Sequence, residues 1–358
     1  MNPFPEGDAV VYCEGAFNTT NGKTAHGLVR RTARYRVLAI VDSHYAGRDA
    51  GEVLGDGPAG IPVRGTLDEA LSSATEAGTP ATHLVVGVAP DGGRLPDHAR
   101  EDVKEALRRG IHVDSGLHTY ISEDPEMAAL ARSSGAIIRD IRKPMHTRDL
   151  HVFTGKIGEV DSLRVALLGT DSAVGKRTTG WVLVDALREA GLTAEMVGTG
   201  QTSWLQGANY GIVLDSIVND FVSGEIEHAV WSAWRGTNAD VLLLEGQGSL
   251  LNPAYPGGFE LLAAGRPEAV VMQHAPGRRE YDGFPGWPIH PLDVQIQAVE
   301  LIGGRPVVAV AVNHEGLDDG QVPTVCQAIT RNTGLPAVDV LLDGADALVE
   351  AIRPHLRR

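Results

Sequence analysis

At 358 residues the chain is longer than one ordinary domain and long enough to bury two separate cores. Its 43% hydrophobic and 22% charged residues match a soluble globular fold, and no apolar run approaches the roughly 18–20 residues that span a bilayer. A formal net charge of −15 excludes nonspecific nucleic-acid binding, which needs a cationic footprint. Any anionic ligand must therefore be held by a local cluster of Arg, Lys and backbone N–H groups. Only Cys13 and Cys326 are present, so neither a disulfide framework nor a Cys-based zinc site is expected. The opening Met1-Asn-Pro-Phe-Pro-Glu-Gly-Asp8 lacks the basic start and apolar middle of a secretory signal, and a cytoplasmic location is expected.

The first part of the chain alternates strand and helix signals. Short apolar runs at Ala9–Cys13, Tyr35–Val41 and Leu84–Val88 read as strands, as do Ile111–Asp114 and Ala136–Asp140. Helical spacing fills Leu67–Ala77 and Arg100–Arg109. This alternation predicts a parallel sheet with helices on both faces, a Rossmann-like layout. Asp42 ends the second strand, where a dinucleotide-binding domain keeps an acid for the ribose. The turn after the first strand, Gly15–Gly22, nevertheless lacks Gly-x-Gly-x-x-Gly, so NAD is not expected. The polar, irregular stretch at 146–162 reads as a linker between residues 1–145 and 163–358.

The apolar run Arg164–Leu168 leads into Gly169-Thr-Asp-Ser-Ala-Val-Gly-Lys-Arg-Thr-Thr179 and then an amphipathic segment. A strand-to-helix turn of this kind gathers backbone N–H groups and a helix N-terminus around one point, and both favour phosphate. Gly169, Thr170, Asp171, Gly175, Lys176, Arg177, Thr178 and Thr179 are the candidate nucleotide-binding residues. Lys176 is expected to be exposed to ligand phosphate and to matter little for folding. The commonest form of the motif has four residues between its glycines and a Ser/Thr directly after the Lys; here five intervene and Arg177 follows. The longer loop resembles that of dethiobiotin synthetase. Helical stripes follow at Val182–Ala190 and Val218–Ala233. Strands are predicted at Ala194–Val197, Val241–Leu244, Ala269–Met272 and Val307–Val312, completing a P-loop NTPase-like parallel α/β unit.

Ligands in parallel sheets collect beyond the carboxyl ends of the strands. Glu245 ends one such strand and should face the phosphate loop, where with Thr178 it could hold Mg²⁺ if a Mg-nucleotide is used. Its Glu-Gly-x-Gly setting also resembles dethiobiotin synthetase. Gly198–Gly207 reads as a polar loop offering Thr199, Gln201 and Thr202 as donors. His274–Asp282 follows another strand and could bring Arg278 and Arg279 to an anion; Trp287, Pro288 and Pro291 beyond it are explained by packing. Of the 13 histidines only His26 and His118 have a positional argument as candidates, and no His-Glu-x-x-His or Cys-x-x-Cys spacing suggests zinc.

Several separated motifs stand in the order of one family: Lys23-Thr-Ala-His-Gly-Leu-Val-Arg30, Gly87-Val-Ala-Pro-Asp-Gly-Gly93, Ser115-Gly-Leu-His118, Asp140-Ile-Arg-Lys-Pro144, the phosphate loop, and Gly198-Thr-Gly-Gln-Thr202. Over nearly its whole length the chain resembles the D-glutamate N-acetyltransferase-like family, formerly a domain of unknown function. That family joins a Rossmann-like domain to a dethiobiotin-synthetase-like P-loop domain. The resemblance implies transfer of acetyl from acetyl-CoA to the amino group of a small acidic amino acid, D-glutamate, with the phosphate loop cradling the CoA phosphates. Acyl transfer needs a base and oxyanion donors. Asp171, Glu245, His26, His118 and Asp282 are the candidate bases, and the sequence does not choose among them. Lys23, Thr24, Arg142, Lys143, Gln201, Arg278 and Arg279 are the candidates to hold the acceptor. The alternatives are an ATP/Mg-dependent ligase or kinase acting on a carboxylate, and a nucleotide-binding regulator without turnover. A homo-oligomer is expected.

Overall fold

The computed structural model describes residues 5–357, so the Met1–Phe4 part of the signal-sequence argument lies outside the described residues. By internal packing the chain forms two units, Met1–Pro144 with Gln201–Gly207, and Met145–Gly200 with Ala208–Arg358.

The first stretch contains β1 (Gly7–Tyr12), α1 (Lys23–Arg30), β2 (Tyr35–Val41), α2 (Ala50–Leu54), β3 (Val63–Arg64), α3 (Leu67–Glu76), β4 (His83–Val86), α4 (Asp97–Arg108), β5 (His112–Ser115), α5 (Pro125–Ser134) and β6 (Ile138–Asp140). The six strands are parallel in the order β3-β2-β1-β4-β5-β6, so the sheet reverses direction of winding between β1 and β4. That is the Rossmann-type order, and the crevice beyond the β1 and β4 carboxyl ends is where such sheets take ligands. Local chemistry sets the helix starts. The Thr66 hydroxyl accepts the Glu69 N–H ahead of α3, and Asp124 caps α5 with Pro125 at its first position. The five-residue α2 and the two-residue β3 are too short for periodicity to show.

The second stretch adds β7 (Leu163–Gly169), α6 (Lys176–Glu189), β8 (Ala194–Gly198), α7 (Gln201–Gln206), β9 (Tyr210–Gly211), α8 (Asn219–Thr237), β10 (Val241–Glu245), β11 (Ala269–His274), α9 (Leu292–Gly303), β12 (Val307–Val312), α10 (Val322–Thr333), β13 (Ala337–Asp339) and α11 (Asp346–Ile352). Its seven strands are parallel in the order β13-β12-β11-β7-β10-β8-β9. Every residue of β7 and β10 is buried, as expected for central strands covered on both faces. The phosphate-loop strand β7 thus has β10 on one side and β11 on the other.

Two sequence expectations are corrected here. The Gly198–Gly207 segment is not a loop: six of its residues form α7, which packs in the first unit. The Gln206 side-chain amide donates to the Gly27 and Arg31 carbonyls, Leu205 is fully buried, and the Arg34 guanidinium lies 3.7 Å from the centre of the Trp204 ring. Nor is 146–162 a loose linker. Glu225 and Glu227 are buried on α8; the first accepts the His151 N–H, and the second accepts the Thr154 and Ile157 N–H groups and the Thr154 hydroxyl. Burial would raise the Glu227 carboxyl, but these donors outweigh it and hold it below the usual range. The segment is therefore part of the second unit.

Candidate functional site

The phosphate loop runs from the end of β7 to the first turn of α6. Gly175 enters the helix with φ of +100°, a conformation that glycine tolerates and a side chain does not, and Ala173 also has positive φ. The first N–H groups of α6 have no intrahelical acceptors and are available to an anion. Lys176 is not exposed, contrary to the sequence expectation. Its ammonium curls back over Gly169 and donates to the Asp171 carbonyl at 2.7 Å and the Gly248 carbonyl at 2.8 Å. Burial pushes its pKa down to about 8, against the pull of the Asp171 and Glu245 charges. Glu245 is itself buried at the end of β10, where one oxygen accepts the Thr199 N–H. Arg177 and Thr178 lie half-buried on the first turn of α6, and Thr179 is buried.

Asp171 organises the surrounding loops. One carboxylate oxygen accepts the Ser172 N–H and the Asn252 amide; the other accepts the Arg278 guanidinium at 3.0 Å and the Asp282 N–H at 2.9 Å. Arg278 in turn spends its remaining donors on the Ser172 and Ala173 carbonyls and on Glu315. In this structure Arg278 is thus a clamp on the phosphate loop, while Arg279 stands exposed. Thr170 is fixed by the His274 ring at 3.0 Å and by the Gln295 amide.

Sequence reasoning missed Asn252, Gln273, Asn313 and Ser249. The Asn313 amide donates to the Val174 carbonyl inside the loop. A side chain at Gly175 would meet the Asn313 and Gln273 amides at 3.5 and 3.9 Å. Among the described residues Gln273 Oε1 and the Ser249 hydroxyl are buried without a hydrogen-bond partner, which is unusual for buried polar atoms. A polar residue at the end of the apolar run Ala269–Met272 was the one available signal for Gln273.

In the first unit the loops at the β1–β4 reversal draw other candidates together. The Ala25 N–H donates to the Gly87 carbonyl and the Ala89 N–H to the Asn21 carbonyl, which joins the Lys23–Thr24 turn to the loop after β4. The Thr24 and Thr202 hydroxyls are 3.3 Å apart. Gly116 is pressed by Gln201, whose Cγ would lie 2.6 Å from any added Cβ, and its carbonyl accepts Arg142 Nε at 2.6 Å. The exposed His118 ring rests on Gly93 and makes no hydrogen bond among the described residues. Lys23 is exposed at the start of α1. His26 instead bonds the Phe17 carbonyl, and Lys143 is taken up by Ser122 and Glu123. Asp42, buried, accepts the His44 N–H in its own turn and the Phe17 N–H in the loop after β1.

A Rossmann-like unit and a P-loop unit, each a parallel α/β sheet, define the class of this protein. Residues 151–349 match the P-loop domain of a domain-of-unknown-function family, DUF1611, and residues 43–144 match that family's N-terminal Rossmann-like domain. The chain belongs to the DUF1611 family. A protein named D-glutamate N-acetyltransferase from Tritonibacter scottomollicae is 29% identical over 301 residues, covering 80% of this chain and 85% of that protein. One of the same name from a Pseudoalteromonas species is 31% identical over 276 residues, covering 75% and 80%. The crystal structure of a DUF1611 family protein from Anabaena variabilis superposes with a TM-score of 0.89 at 30% identity, over 98% of this chain and all of that one.

Proposed function

We propose that the protein transfers the acetyl group of acetyl-CoA to the amino group of D-glutamate. The relatives of that name support the reaction class. The structural observation that carries it is the form of the phosphate cradle: a helix N-terminus and a buried Lys176, with Arg177 where a magnesium-binding hydroxyl commonly stands. CoA brings a pyrophosphate and a 3′-phosphate that such a cradle can neutralise without hydrolysing anything. Lys23, Arg142 and Gln201 are the residues whose donors suit the acceptor carboxylates. His118, whose ring makes no hydrogen bond among the described residues, serves as base. It takes one proton from the substrate ammonium; the amine then attacks the thioester carbon, the C–N bond forms, the C–S bond breaks to release CoA thiolate, and the second proton shed by the nitrogen converts the thiolate to the thiol. Asp171 holds loops instead of moving protons, because both its oxygens are engaged.

Purified protein should release free thiol from acetyl-CoA only when D-glutamate is present, and His118→Asn should lower kcat by on the order of 10²-fold or more. ADP release from Mg-ATP that depends on the amino acid, without thiol release, would replace this reading with a ligase. Preference for a neutral or basic acceptor would remove the D-glutamate assignment and leave acyl transfer standing. Tight nucleotide binding with no turnover of either kind would favour the regulator.

A further inference from the structure

Two loops of the second unit carry large aromatic side chains in water beside the phosphate loop. Tyr255 and Trp287 are each 57% exposed, so packing does not account for Trp287 as the sequence had suggested. We propose that Tyr255, Phe284 and Trp287 form the surface on which the adenine base of the phosphate-loop ligand stacks. The proposal rests on the reading of that loop as a cradle for CoA or another adenine nucleotide.

Position is the first argument. Gly248, whose carbonyl receives the Lys176 ammonium, is backed directly by Tyr255: a Cβ at Gly248 would lie 2.0 Å from the Tyr255 carbonyl oxygen and 3.2 Å from its Cβ. The Tyr255 backbone therefore packs against the residue whose carbonyl receives the Lys176 ammonium. The Tyr255 and Phe284 rings meet edge to face, with centroids 6.2 Å apart. Rigidity is the second. Asn252 donates to Asp171 and accepts the Ala254 and Tyr255 N–H groups, which ties the Tyr255 loop to the phosphate loop. The other loop is tied to the same carboxylate through Arg278 and the Asp282 N–H. It then turns tightly, with Tyr281 N–H on the Trp287 carbonyl and Trp287 N–H on the Phe284 carbonyl, and Gly283 and Gly286 supply its positive φ angles. The Tyr281 hydroxyl joins the two loops by donating to the Leu251 carbonyl.

One buried carboxylate thus holds the phosphate loop and both aromatic loops in one arrangement. Aromatic rings held near a phosphate cradle suit a planar base, since every base offers a face to stack on and the rings lose little freedom on binding. Removing these rings should not unfold the unit, because the hydrogen bonds that shape both loops run through backbone atoms and through Asn252, Arg278 and Tyr281.

Titration calorimetry with CoA, ADP and inorganic pyrophosphate on the wild type, Tyr255→Ala, Trp287→Ala and Lys176→Ala separates the outcomes. The aromatic variants should bind CoA and ADP on the order of tenfold more weakly while keeping pyrophosphate affinity within about twofold. Tyr255→Phe should restore most of the loss, and ADP should quench tryptophan fluorescence in the wild type but not in Trp287→Ala. Unchanged CoA and ADP affinity would overturn the proposal, and so would an equal loss for pyrophosphate. An altered sedimentation coefficient with unchanged ADP affinity would assign the rings to contact between copies and overturn it as well. If Lys176→Ala retains full affinity for all three ligands, the phosphate-cradle reading falls, and the aromatic variants then report on the stacking surface alone. Failure of the wild type to bind any of the three would overturn both.

Discussion

Lys176 is a buried cation at the start of α6, and its hydrogen bonds and its desolvation pull its stability effect in opposite directions. Its two carbonyl partners satisfy the ammonium, yet desolvation lowers its pKa from an ordinary value near 10.5 to about 8. Between those values the unfolded chain binds the proton that the folded chain has released, so ligand-free stability should rise as pH goes from about 8 to about 10.5. The rise should be on the order of 3 kcal/mol at most, since a tenfold change in proton affinity is worth about 1.4 kcal/mol. Lys176→Met should abolish that slope in urea unfolding curves. Its midpoint at pH 7 should stay near that of the wild type, because loss of the desolvation cost offsets the two carbonyls left unpaired. It should also bind CoA far more weakly. An unchanged slope would mean that the ammonium is solvated in the ligand-free protein.

Helix α8 shows how an element can be built for its neighbour rather than for its own propensity. Gly224 sits in the helix interior, where Ala would ordinarily be favoured by about 1 kcal/mol. Here a Cβ would come within 2.1 Å of the His151 carbonyl oxygen, on the segment that Glu225 and Glu227 hold against the helix. Backbone cannot yield as a flexible side chain would, so the sign should reverse. Gly224→Ala is expected to destabilise by about 1–3 kcal/mol and to increase proteolytic cleavage between residues 145 and 160. A variant more stable than the wild type would show that the segment moves away at little cost. Pro144, Gly155 and Gly158 punctuate the 146–162 segment as they would a linker, while the carboxylates that fix it to α8 lie about 70 residues further along the chain.

At the scale of the whole molecule, the first unit is not one continuous stretch of chain. It is completed by Gln201–Gly207, which brings Leu205 into the core, Gln206 onto the end of α1, and Trp204 over Arg34. A fragment ending at Pro144 would leave the Leu205 site open and the Gly27 and Arg31 carbonyls without Gln206. An emptied Leu site alone costs about 2–5 kcal/mol. The fragment should therefore melt at a clearly lower temperature than the same unit in the full chain, or without cooperativity, as read by calorimetry and amide exchange. Leu205→Ala in the full chain should selectively weaken protection of α1 and β2. Equal melting of fragment and intact unit would make α7 an accessory to a core that folds without it.

The sequence by itself determined the two-unit α/β plan, because the buried parallel strands read as apolar runs bounded by turn residues and the phosphate loop carries its own spacing. It also determined the family, through motifs whose residue types and order stand on the page without any contact being known. His118 and Arg142 lie beyond strand ends, as the apolar runs before them suggest, whereas Thr24 and Gln201 fall in the first turns of α1 and α7. Tertiary structure alone decided which charged groups keep open valences. Asp171 and Arg278 look like a base and an anion binder in sequence, and they bond each other across 107 residues. It alone decided that Lys176 is buried and that Trp287 is exposed, since burial depends on what the rest of the chain brings alongside. The six residues of α7 are too few to show a helical period, and their place in the first unit follows from side-chain bonds to residues about 175 positions earlier in the chain. Spacing along the chain encodes local geometry; the partner that satisfies a given donor is chosen by the fold.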